Sequence, residues 1–146
     1  MKLVVNTNSN TCRFYHFDHH PTQLTLLKEI QHPENKLKNI DITSDRQGHY
    51  KASSDGRGAY SPHMDAKDVE IDNFSREIAT ELNQERLKNN CEGIIMIALP
   101  HMKGLIFQHL NKHVKEMVLN NFEKDLLNLK EEELIDFLQT NAQFRG

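Results

Sequence analysis

One run of eight residues constrains this chain more than any other. Gly93-Ile94-Ile95-Met96-Ile97-Ala98-Leu99-Pro100 is apolar at every internal position and rich in β-branched side chains. A half-exposed strand alternates apolar with polar residues. A run apolar on both faces needs cover above and below, as a central strand of a helix-covered sheet has. It is too short to span a bilayer.

The flanking periodicity supplies the cover. Upstream, Ile71, Phe74, Ile78 and Leu82 form one stripe of an amphipathic helix that starts near Asp68 and ends at Asn89-Asn90. Downstream, Met102, Leu105, Ile106, Leu110, Val114 and Met117 predict one further helix, and Val118 to Phe122 a strand. Lys124-Asp125-Leu126 leads to a last helix through Glu131 to Leu138, with Lys124-Asp125 expected as a local pair or cap. Glu131, Glu132 and Glu133 in its first turn suit the positive end of the helix dipole.

The N-terminal part predicts an antiparallel meander. Leu3 to Asn6 is a short strand, and Asn8-Ser9-Asn10 is a turn signal. Cys12, Phe14 and His16 then alternate with Arg13, Tyr15 and Phe17. Asp18-His19-His20-Pro21 breaks the pattern. Leu24 to Ile30 reads as a third strand with Leu24, Leu26 and Lys28 on one face. The order βββ-loop-α-β-α-β-α predicts an α/β protein: a mixed β-sheet with helices on its faces, the plan of the ribonuclease H-like fold. With 146 residues, the expectation is a single domain over 1–146.

From Pro33 to about Lys67 all periodicity is lost. A long flexible loop at about 34–67 is expected, and loops of this length are commonly functional or disordered. It contains Arg46, Lys51, Arg57 and Lys67, with Tyr50 and Tyr60 interleaved. Arginine and lysine pair with phosphate, and tyrosine stacks on unpaired bases. Asp45, Asp55 and Asp65 dilute that charge. The whole chain carries 18 Lys+Arg against 21 Asp+Glu, a net charge of -3, so bulk attraction to nucleic acid is excluded and any contact must be local. Ser44-Asp45-Arg46 reads as a turn held by the Asp45 carboxylate.

Other chemistry is sparse. His109 and His113 stand four apart on the expected helix, a spacing able to hold zinc, and are weak metal candidates. His16, Asp18, His19 and His20 read as a solvated cluster. Metal-dependent nucleases need carboxylates on their first strands, and Asn6-Thr7-Asn8 offers none. Cys12 and Cys91 read as core thiols. No phosphate-binding glycine loop, dinucleotide fingerprint or nucleophile elbow is present, and no cofactor is expected. Met1 to Asn6 lacks a secretory pattern, so the expectation is a soluble cytoplasmic protein with no membrane partner.

Four short motifs, in this order, carry a resemblance. They are Glu29-Ile30-Gln31-His32-Pro33-Glu34-Asn35-Lys36-Leu37, Thr43-Ser44-Asp45-Arg46-Gln47-Gly48, Ala98-Leu99-Pro100-His101-Met102-Lys103-Gly104-Leu105 and Glu123-Lys124-Asp125-Leu126. Together they resemble the bacterial host attachment family over nearly the whole chain. That family in turn resembles the middle domain of class-1 peptide chain release factors of eukaryotes and archaea. In those factors a Gly-Gly-Gln loop before the first long helix promotes release of the peptide from tRNA. Here Gly56-Arg57-Gly58-Ala59-Tyr60-Ser61 stands in the corresponding place. The resemblance implies a ribosome or tRNA partner met through this loop. Ala59 replaces the second glycine and restricts the backbone, and Tyr60 replaces the glutamine and offers no carboxamide. Peptidyl-tRNA ester hydrolysis, the one enzymatic activity implied, loses its defining residues. The alternatives are a factor that promotes attachment to host cells, directly or through a protein partner, and a metal-dependent enzyme using His109 and His113.

Overall fold

The computed structural model describes residues 1–32 and 66–142. Strands β1 (Lys2–Thr7), β2 (Thr11–His19) and β3 (Thr22–Gln31) form the meander. Helix α1 (Ala66–Asn89) leads to β4 (Gly93–Ile97), then α2 (Pro100–Gln108), α3 (Lys112–Met117), β5 (Val118–Phe122) and α4 (Glu131–Asn141). The five strands make one sheet in the order β3-β2-β1-β4-β5. Its β1–β2 and β2–β3 pairs are antiparallel, and its β1–β4 and β4–β5 pairs are parallel. The expected α/β class and mixed sheet are therefore present.

All five residues of β4 are buried, as a run apolar on both faces requires. Ile94 and Met96 join Leu3, Val5 and Phe14 beneath Phe74, Ile78 and Leu82 of α1 and Ile106 of α2. Ile95 and Ile97 join Val4, Tyr15 and Phe17 beneath Leu134 and Leu138 of α4. Helices α1 to α3 thus cover one face and α4 covers the other. The turn after β1 is held by Asn8, whose Oδ1 accepts from the backbone N–H groups of Asn10 at 2.8 Å and Thr11 at 2.9 Å. Helix α1 is followed by Asn90 at φ 49, a left-handed conformation that asparagine tolerates better than most side chains.

Three expectations need correction. Lys28 does not share a face with Leu24. The register places Tyr15 opposite Leu26 but Phe14 opposite Lys28, so Leu27 is an extra residue in β3 and reverses the phase there. Leu24 consequently packs towards α4, while Ile30 packs towards α1 and Lys28 reaches Glu81 of α1 at 2.9 Å. The helix expected over 102–117 is two helices. Asn111 breaks it by acting as the N-cap of α3, its Oδ1 accepting from the Val114 N–H at 2.9 Å. Finally, Lys67 belongs to α1, which begins at Ala66, rather than to the preceding loop.

Candidate functional site

Parallel strands β1, β4 and β5 end along one edge of the sheet, and β3, antiparallel to β2, ends there too. Open sheets of this class bind ligands at the carboxyl ends of their parallel strands. The chain leaves β3 at this edge through His32. The His32 N–H donates to the Asn10 carbonyl at 2.7 Å. Its ring stacks on Phe74 with centroids 5.2 Å apart and planes 24° apart, and its Nε2 lies 3.5 Å from Glu70 Oε2. Both Phe74 and Glu70 belong to α1, the element that follows residues 33–65. The two ends of that segment are therefore fastened to each other at the carboxyl edge of the sheet.

The proposed loop residues Gly56, Arg57, Gly58, Ala59, Tyr60 and Ser61 lie outside the described residues, as do Arg46, Lys51 and the Ser44-Asp45-Arg46 turn. Lys67 is exposed in the first turn of α1. Nearby, α2 starts with Pro100 after an extended, 45% exposed Leu99. Lys103 of α2 pairs with Glu123 after β5 at 2.7 Å, tying the ends of two strands together. On β1, Asn6 is buried, and its Nδ2 donates to the Leu126 carbonyl at 3.4 Å. Asp125 Oδ1 accepts from the Leu127 N–H at 3.3 Å, and Lys124 lies 5.7 Å from the Phe137 ring centroid. Lys124 and Asp125 thus hold a turn and an aromatic contact separately. The residue that starts α4 is Lys130, whose N–H donates to Glu133 at 2.8 Å.

His109 and His113 do not stand on one continuous helix. His109 caps the C-terminus of α2 and His113 lies in α3, beyond the break at Asn111, so the two do not share a helix face. His109 Nε2 instead lies 2.9 Å from Asp72 Oδ1 of α1, and Asp72 also meets Arg76 at 3.5 Å. Among the described residues, no group of three or more His, Cys, Asp or Glu side chains is arranged to hold a metal ion. His16 pairs with Asp18 at 3.1 Å at the opposite edge of the sheet. Both cysteines are free and buried, and burial pushes both thiols above their usual range. No described helix is long and apolar enough to cross a membrane. Sequence reasoning missed the pairing of His109 with Asp72 and of His32 with Glu70. The spacing of four between Asp72 and Arg76 was the one signal that could have drawn notice to Asp72.

The family described as "Protein required for attachment to host cells" matches residues 3–138. An uncharacterized protein of Rickettsia prowazekii (strain Madrid E) is 30% identical over 84 residues, 56% of this chain and 56% of that relative. The chain thus spans about half the length of the relative it matches.

Proposed function

Because the chain belongs to the family of proteins required for attachment to host cells, we propose that it acts there as a release-factor-like module that binds the ribosome or tRNA through Gly56 to Ser61. The single domain is read as ribonuclease H-like, supported by a meander extended through two parallel strands. One observation carries the functional reading. The described residues that flank the segment holding Arg57 and Tyr60, His32 on one side and Glu70 and Phe74 on the other, pack against each other at the carboxyl edge of the sheet. Arg57 and Lys51 supply phosphate contacts, and Tyr50 and Tyr60 supply stacking surfaces. Lys67, exposed at the start of α1, extends the cationic surface. Ala59 and Tyr60 replace the Gly-Gln pair of the release-factor loop, so the reading rests on binding and not on ester hydrolysis.

The test is co-sedimentation with empty, tRNA-loaded and stalled ribosomes at low and high salt. Binding should weaken as salt rises and vanish when Arg57 and Lys51 are replaced by Glu. Binding unchanged by those replacements would sink the reading. An attachment role through a protein partner is the second reading, favoured by the family's description. Labelling of intact bacteria separates the two, since surface exposure of the protein supports direct attachment.

A further inference from the structure

A sheet leaves backbone N–H and C=O groups unpaired along its outermost strands, and proteins protect such edges with short strands, bulges and charges. Among the described residues, β3 and β5 are the outermost strands. Strand β5 has two of these protections, a length of five residues and a bulge at Leu119. Strand β3 is twice as long, and its protection lies at one end. The bulge at Leu27 and the charges of Lys28 and Glu29 occupy its second half. Thr22 to Leu26 is uncharged and keeps unbroken register with Tyr15 to His19. Leu26 is 47% exposed, and among the described residues it is the one large apolar side chain exposed on a strand.

This half-strand is self-complementary in one register. A two-fold axis through Thr25, perpendicular to the sheet, sets a second copy antiparallel and keeps like faces together. Thr25 then stands opposite its own copy, and Leu26 of each chain stands opposite Leu24 of the other. Leu24 and Leu26 share the α4 face, where they lie opposite Phe17 and Tyr15 of β2. The junction thus gains a Thr–Thr pair and two Leu–Leu pairs, the latter covering the exposed Leu26. Lys28 meets uncharged Thr22, so no like charges face each other. Centring on Leu24 would set Leu26 against Thr22, and centring on Leu26 would set Leu24 against Lys28. Each of those keeps one leucine pair in place of two.

We propose that β3 is an interface between two copies of this chain, paired antiparallel about Thr25 so that their sheets become continuous. A pairing this short lies at the low end of interface sizes, so the dimer is reversible and depends on concentration.

The experiment is sedimentation velocity of the full chain from micromolar to millimolar concentration. Monomer should give way to dimer as concentration rises. Amide hydrogen exchange should slow over Thr22 to Leu27 in the dimer and stay unchanged over Val118 to Phe122. Thr25 is exposed, so its replacement leaves the core untouched. Thr25→Glu and Thr25→Lys each put like charges face to face and should weaken pairing at least about tenfold. An equal mixture of the two variants should recover it, the signature of a residue that faces its own copy. Monomer at every concentration would overturn the proposal, even if the edge then accepts a strand from another protein. A dimer that Thr25→Glu leaves intact, or one whose slowed exchange lies in β5, would overturn it as well. Pairing at β3 and ribosome binding through Gly56 to Ser61 are independent, and either can fail alone.

Discussion

At the scale of single residues, most of what holds this protein is ordinary packing chemistry that can be tested one atom group at a time. Gly93 opens β4, and a Cβ there would collide with the Leu119 side chain of β5. Gly93→Ala should destabilise by about 1–3 kcal/mol in a denaturant titration, the usual cost of overpacking. Phe74 is fully buried between His32 and the sheet, and Phe74→Ala should cost about 3–5 kcal/mol. Arg13 donates to Glu29 at 2.8 Å, and this bond holds the Glu29 carboxyl below its usual 4.5. A carboxyl depressed by folding stabilises above its unfolded value, and the gain is lost as pH falls through the folded value. Replacing Arg13 by Met should therefore destabilise near neutral pH and have a shrinking effect as pH drops below 4.5. Stability curves of both proteins against pH would show it. The pair is partly exposed, so the whole effect should be small.

At the scale of elements, what the sequence made legible depended on whether an element answers to its own pattern. Strand β4 did, because a run apolar on both faces has few other homes, and α1 did through Ile71, Phe74, Ile78 and Leu82. The bulge at Leu27 was not legible. Its cause is pairing with β2, and a local alternation of Leu24, Leu26 and Lys28 carries no trace of it. The break between α2 and α3 was half legible. Apolar spacing runs smoothly from Met102 to Met117, but Asn111 competes for the backbone as a cap, and the apolar stripe conceals it. Asn111→Ala should cost about 1 kcal/mol through the lost cap. Thermal unfolding of that variant beside wild type checks the magnitude. The shared helix face expected of His109 and His113 was lost for the same reason, since a spacing of four means one face only if the helix continues.

At the scale of the whole molecule, the sheet sets where function can lie. Three parallel strands end on one edge, two helices begin beside it, and the described residues on either side of 33–65 meet there. Interleaved cations and tyrosines made this segment the expected functional stretch in the sequence. Its attachment through His32, Glu70 and Phe74 was invisible, because contacts between elements separated by such a long stretch leave no local pattern. The central claim is that the segment around Arg57 and Tyr60 meets RNA of the translation apparatus. The most direct measurement replaces Tyr60 with a photo-cross-linking residue, adds ribosomes carrying tRNA, irradiates, and maps the attached partner. The account predicts cross-links to ribosomal RNA or tRNA that disappear when Arg57 is changed to Glu. Cross-links confined to a non-ribosomal protein, or no cross-link to RNA, would contradict it.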